Sequence, residues 1–321
     1  MNHRKKVKSD MELYFLGTNA GVPSTERNVT SIALRLLEER RSFWLFDCGE
    51  GTQHQILRSP LKLSKLEKVF ITHLHGDHLF GLPGLLSSRA YQGGTSPLTV
   101  YGPPGLKTYL DITLELSQSR VNYELIVEEH TGGVIFEDDT FKVEMALLDH
   151  RIDSYGYRVT EKDRAGKLNG ELLEQFGIKP GPLYGKLKNG ESVETPEGRI
   201  IHPSEVIGEP KKGRIVTILG DTRPCSNVIP LAVNADILVH EATFLHELAK
   251  TAHEYHHSTA LQAAEAAKEA GVGQLIITHF SSRYKNEEEL LKLQDEARSV
   301  FPNTYTAKEH ELYPVPDGIR K

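Results

Sequence analysis

Four side chains that bind divalent metals fall within six residues, His73-Leu-His75-Gly-Asp77-His78. Neutral imidazole and carboxylate are the natural non-thiolate ligands of Zn²⁺, and this density is far from chance scatter. The segment therefore predicts a metal site rather than an exposed polar loop. Gly76 permits the tight turn that aims alternate side chains at one point. Three further candidates, His150, Asp221 and His279, each follow an apolar run. Taken singly, His150 reads equally well as a surface histidine, Asp221 as a helix cap and His279 as a satisfied core histidine. Their shared placement groups them with the first four. Ligand count then predicts one ion on His73, His75 and His150, a second on Asp77, His78 and His279, and Asp221 bridging both. Each ion keeps a position for a shared water. Two ions roughly 3.5–4 Å apart acidify such a water and stabilise the oxygens of an in-line displacement at phosphorus, so hydrolysis is the chemistry expected.

Those residues need elements to deliver them. Met11–Leu16, Ser31–Leu37, Ser42–Phe46, Leu66–Thr72 and Leu98–Tyr101 read as strands, as do Phe141–Leu148, Ser154–Thr160, Ile215–Leu219, Ile237–Val239 and Gln274–Thr278. Pro103-Pro104-Gly105 opens a helix to about Ser117. Ser258 is expected to cap a helix over Thr259–Ala270 that stops at Gly271, and Asn286–Val300 is a last amphipathic helix. His73, His150, Asp221, Glu241 and His279 all follow strand ends, the edge where layered α/β folds place their sites. The pattern predicts an α/β fold of two packed sheets with helices outside.

The chain has 321 residues and a formal net charge of -6, so any polyanion binding must rest on a local patch. Fifteen histidines are the unusual feature; Cys48 and Cys225 are the only cysteines and read as two reduced thiols rather than a zinc or disulfide pair. No apolar run is long enough for a membrane span or a signal peptide, which points to the cytoplasm. Residues 1–10 read as a disordered extension or an alternative start before the main domain, residues 11–321. The stretch of about 161–213 is rich in Gly, Pro and Lys with weak periodicity, and reads as a flexible arm protruding from the body. Within it, Gly177 to Gly190 carries Lys179, Lys186 and Lys188 and no acidic residue. Such lysines meet phosphates electrostatically, with Tyr184 packing on sugar.

HxHxDH is the signature of the metallo-β-lactamase superfamily, which the chain resembles. More narrowly, it resembles the tRNase Z family over nearly its whole length from Met11. Phe46-Asp-Cys-Gly-Glu-Gly-Thr-Gln53, Thr72 to His78 followed by Gly81-Leu-Pro-Gly84, and Gly220-Asp221-Thr222-Arg223 carry that likeness, with His240-Glu-Ala-Thr243 and His257-Ser-Thr259. The resemblance implies a four-layer αβ/βα sandwich holding two zinc ions; the His and Asp ligand types themselves permit Mn²⁺ as well. It implies a homodimeric endoribonuclease that cuts precursor tRNA after the discriminator nucleotide by metal-activated hydroxide, the arm of one subunit clamping tRNA on the other. Asp77 stands where the family has a ligand and general base, and Glu241 and His257 where it has the pair protonating the leaving 3′-oxygen. Pro23-Ser-Thr25-Glu-Arg27-Asn28 matches the family's PxKxRN loop at Pro, Arg and Asn, giving Arg27 and Asn28 as substrate contacts. Thr25 replaces the lysine, so weaker discrimination against CCA-bearing tRNA is expected. The rivals are a small-molecule hydrolase on the same fold, an inactive binding protein and a structural RNA-binding zinc protein; filled ligand positions oppose the second, and the arm argues against the first.

Overall fold

The computed structural model describes residues 11–317 apart from 39 and 165, so the expectation for residues 1–10 lies outside the described residues. Two seven-stranded sheets make the body. The first is built from β1 (Met11–Gly17), β2 (Ser31–Leu36), β3 (Ser42–Phe46), β4 (Leu66–Phe70), β5 (Leu98–Gly102) and β6 (Leu125–Glu129). The second takes β7 (Gly133–Glu137), β8 (Phe141–Leu148) and β9 (Ser154–Glu161); β10 (Val193–Glu194) and β11 (Ile200–Ile201) form a separate hairpin. After it come β12 (Ile215–Leu219), β13 (Ile237–Glu241), β14 (Gln274–Thr278) and β15 (Thr304–Thr306), before β16 (Leu312–Pro314) returns beside β1 in the first sheet.

Three apolar clusters show why the chain settles into four layers. Phe15, Trp44, Phe46, Phe70, Phe141, Tyr157, Val216 and Val239 fill the space between the sheets. Tyr14, Leu16, Leu45 and Val69, from the opposite face of the first sheet, meet helices Leu82–Tyr91 and Leu106–Leu116. Leu238, Leu275 and Ile277 of the second sheet meet Ala260, Ala263, Ala264 and Ala267 of helix Ala260–Glu269. Strands buried on both faces read as unbroken apolar runs, which is how they stand in the sequence. β4 runs parallel to β3 and β5, and β12, β13 and β14 run parallel to one another. β8 reaches β12 through antiparallel β9, so it points the same way as β12. Parallel strands put their C-terminal ends on one edge, and His73, His150, Asp221, Glu241 and His279 gather there.

Some boundaries differ from expectation. Helix Ala260–Glu269 is capped by Thr259, whose side chain accepts from Gln262 N–H while Gln262 answers on Thr259 N–H; Ser258 instead donates its hydroxyl to Thr222 O. The helix expected from Pro103 begins at Leu106, after Gly105 at φ 100°, a conformation only glycine adopts without cost. The largest correction concerns the arm. Glu161 still belongs to β9, and the segment beyond it is a small folded unit, not a loop. It holds helices Gly170–Gln175, Pro182–Lys188 and Pro203–Val206 and the β10–β11 hairpin. Leu173, Ile178, Leu187, Val193, Ile201 and Val206 are buried together as its core. Helices of two turns or fewer are too short to display a helical period, so the periodicity looked weak.

Candidate metal centre

The seven candidate ligands converge. His73 and His75 follow β4, Asp77 and His78 lie in the short helix Gly76–Leu79, His150 follows β8, Asp221 β12 and His279 β14. One set of donor atoms belongs to His73, His75 and His150, and a second to Asp77, His78, Asp221 and His279, each set lying within 4.8 Å of one another. His75 Nδ1 stands 3.1 Å from His73 Nε2 and 3.2 Å from His150 Nε2. In the second set His78 Nε2 is 3.4 Å from His279 Nε2 and 3.5 Å from Asp77 Oδ2. Asp221 faces both, with Oδ2 3.2 Å from His279 Nε2 and 3.7 Å from His73 Nε2. Ligands roughly 2.0–2.1 Å from a tetrahedral ion are separated by about 3.3 Å. The donors therefore have the spacing of coordination polyhedra. The donor set fits two divalent metal ions.

Charge agrees with geometry. Burial pushes the imidazoles of His73, His75 and His150 below the ordinary histidine value, which keeps them neutral with a lone pair to offer. Asp77 and Asp221 are buried, which opposes ionisation, yet His78 and His279 hold both well below the usual carboxylate range. His78 is itself lifted, against its burial, by Asp221, Asp77 and Asp47.

A surrounding shell fixes the donors. Asp47 follows β3 at φ 59°. Its Oδ2 accepts from His78 Nδ1 at 2.7 Å and from Thr72 Oγ1 at 2.8 Å, and its Oδ1 accepts from Thr72 N–H at 2.7 Å. His150 Nδ1 donates to the carbonyl of His256 at 2.9 Å. Ring nitrogens paired in this way set the tautomer that ligates. Asp47, Thr72, Thr243 and His256 were given no role from the sequence. The available signal was their position beside the ligands, Thr72 immediately before His73 and Asp47 in the segment after β3.

Glu241 and His257 lie at the rim. Glu241 is buried, and its Oε1 accepts from His257 Nδ1 at 2.8 Å and Thr222 N–H at 2.9 Å. Its Oε2 takes Thr243 Oγ1 at 2.6 Å and Ser258 N–H at 3.1 Å. Burial lowers the affinity of His257 for a proton, but the Glu241 carboxylate outweighs it and lifts the imidazole to about 9. The Glu241 carboxylate thus favours the protonated form of His257, with Nδ1–H turned to Glu241.

Three expected substrate contacts have partners within the protein. Arg27 is 8% exposed, and its guanidinium is committed to Asn19 Oδ1 at 2.8 Å and Tyr284 O at 2.6 Å. Asn28 donates Nδ2–H to Glu50 O at 3.0 Å and its N–H to Glu309 Oε1 at 2.8 Å. Both residues brace the loop, which reaches the centre through Gly21 N–H, a donor to Asp77 Oδ2 at 2.7 Å. Tyr184 is half-buried on the arm's own core, so its ring is largely spent there. Lys179, Lys186 and Lys188 are exposed.

The layered sheets and the paired donor sets define a metal-dependent hydrolase of the metallo-β-lactamase fold. Comparison with known proteins agrees. The chain is 57% identical to a ribonuclease Z of Bacillus licheniformis over 94% of its own length and 99% of that protein. It superposes on the crystal structure of the short form of human tRNase Z with a TM-score of 0.70 at 30% identity, covering 95% of this chain and all of that one. The metallo-β-lactamase fold protein YhfI of Bacillus subtilis shares the fold, with a TM-score of 0.65 at 19% identity over 95% of this chain and 99% of the other. A family model described as Anti-Pycsar protein Apyc1 matches residues 11–137. The chain belongs to the ribonuclease Z family.

Proposed function

We propose that this endoribonuclease removes 3′ trailers from precursor tRNA, cutting immediately after the discriminator nucleotide, as a cytoplasmic homodimer with two Zn²⁺ per subunit. Activity on tRNA 3′ ends follows from membership of the ribonuclease Z family; the observation that carries the chemistry is the convergence of seven donors into two adjoining sets. His73, His75 and His150 would hold one ion, Asp77, His78 and His279 the other, and Asp221 both. When bound, such ions acidify a water and offset the negative charge that develops around phosphorus.

The remaining work falls to the chain's own groups. Asp77 gives Oδ2 to the donor set and to Gly21 N–H, leaving Oδ1 to take a proton from the attacking water. His257, held by Glu241, carries a proton at Nε2 for the departing 3′-oxygen. Glu241 accepts four hydrogen bonds besides that of His257, from Thr222 N–H, Thr243 N–H, Thr243 Oγ1 and Ser258 N–H, so it orients His257 without itself becoming protonated. Exposed Lys179, Lys186 and Lys188 grip the tRNA backbone from the arm. His and Asp ligation also suits Mn²⁺. Among the described residues no helix is long and apolar enough to cross a membrane.

Incubation of a 3′-extended precursor tRNA with wild type and Asp77→Ala tests this reading. Only wild type should cut, at the bond after the discriminator. Equal cutting by both proteins, or intact RNA with both, would contradict it.

A further inference from the structure

Thr243 stands between the proton-donor pair and the metal centre. It is buried, and its hydroxyl lies 2.6 Å from Glu241 Oε2 and 3.0 Å from His279 Nδ1. A hydroxyl has one proton to give. The Glu241 carboxylate can only accept, and it makes the shorter contact, so the threonine proton belongs on Oε2. The carbonyl of His279, at 3.0 Å, is the more distant alternative acceptor. With its proton committed, Thr243 Oγ1 is left to accept, and the donor facing it is His279 Nδ1–H. The lone pair of His279 then sits on Nε2, the nitrogen 3.2 Å from Asp221 Oδ2 and 3.5 Å from Asp77 Oδ2. The other sheet repeats the device. Thr72 Oγ1 donates to Asp47 Oδ2 at 2.8 Å and faces His73 Nδ1 at 2.9 Å. There the carboxylate also holds a ligand, His78, whereas Glu241 holds the proton donor His257.

We propose that Thr243 is a positioning residue that couples the two parts of the site: by donating to Glu241 and accepting from His279 Nδ1, one hydroxyl locks His279 in its ligating tautomer and fixes the carboxylate that aims His257. The inference rests on the metal-centre reading above.

Two variants and one spectrum test it. Thr243→Val keeps the shape and removes the hydroxyl, and Thr243→Ser restores it. Zinc affinity is read by titrating metal-free protein with Zn²⁺ against a chelator of known strength, and kcat and KM are read on precursor tRNA. In the valine variant one of the two sites should weaken by about 10–100-fold. Its kcat should fall with KM little changed, and serine should recover both. The nitrogen–proton NMR spectrum of zinc-loaded wild type, which needs no variant to fold, should show His279 carrying its proton on Nδ1. Unchanged zinc affinity and kcat in the valine variant, or a proton on Nε2 of His279 in wild type, would overturn the inference. If wild type itself bound no zinc, the proposed function would fail with it, a separate outcome of the same titration.

Discussion

At the metal centre donors such as His78 and His150 are held by other groups, while the arm's lysines, the proposed substrate contacts, stand in solvent. His78 leans on Asp47, His150 on a backbone carbonyl, and His257 on a carboxylate that accepts from four other donors. Residues brought together there are as far apart in the chain as His78 and His279, so the centre exists only when both sheets are assembled. The arm closes a core of six buried apolar residues within one stretch of chain and leaves its lysines exposed. Chemistry needs donors fixed to fractions of an ångström, which takes a large body; grip on a polyanion needs only charge at roughly the right place. Catalysis and substrate grip should therefore be separable.

The junction between the regions is the place to break that separation. Glu161, at the end of β9, and Arg214, just before β12, are both about 1% exposed and meet in a two-toothed ion pair, Nε to Oε2 at 2.7 Å and Nη2 to Oε1 at 3.0 Å. Taking the carboxylate from a buried guanidinium costs about 3–5 kcal/mol. Glu161→Ala should lower the free energy of urea unfolding by that amount, because the pair belongs to the body. A loss under about 1 kcal/mol would place the junction with the arm.

Replacing residues 177–190 by a short Gly/Ser linker should have the opposite profile. kcat/KM on precursor tRNA should fall by about 100-fold, because the change removes the three lysines together with helix Pro182–Lys188 and the core residues Ile178 and Leu187. Hydrolysis of bis(p-nitrophenyl) phosphate should stay within about twofold, since the centre is untouched. Parallel loss of both activities would show that the two regions are not independent. The mildest change is a single Lys179→Ala, Lys186→Ala or Lys188→Ala. Each should weaken tRNA binding a few-fold and reduce the slope of log affinity against log salt by about 1. An unchanged slope would remove that lysine from the interface.

The same contrast explains what could be read from the sequence. The centre was legible because four of its ligands cluster around Gly76 and the others follow apolar runs that strands must bury. Parallel strands then leave few places for His73, Asp221 and His279 except a common edge. Partners such as Asp47 and Thr243 were not legible, because aspartate and threonine at strand ends are common and only distance distinguishes a tautomer-setting bond from a cap. Arg27 shows the same limit: the motif-bearing loop marks it as an expected substrate contact, and only distance reveals its bonds to Asn19 and the Tyr284 carbonyl. The arm's fold was hidden because its core draws single residues from several very short elements.

Anomalous diffraction at the zinc edge, from crystals grown with Zn²⁺, tests the central claim most directly. Two peaks are predicted, one among His73 Nε2, His75 Nδ1 and His150 Nε2, the other among Asp77, His78 and His279, with Asp221 facing both. A single peak, no peak, or peaks away from these side chains would contradict the account.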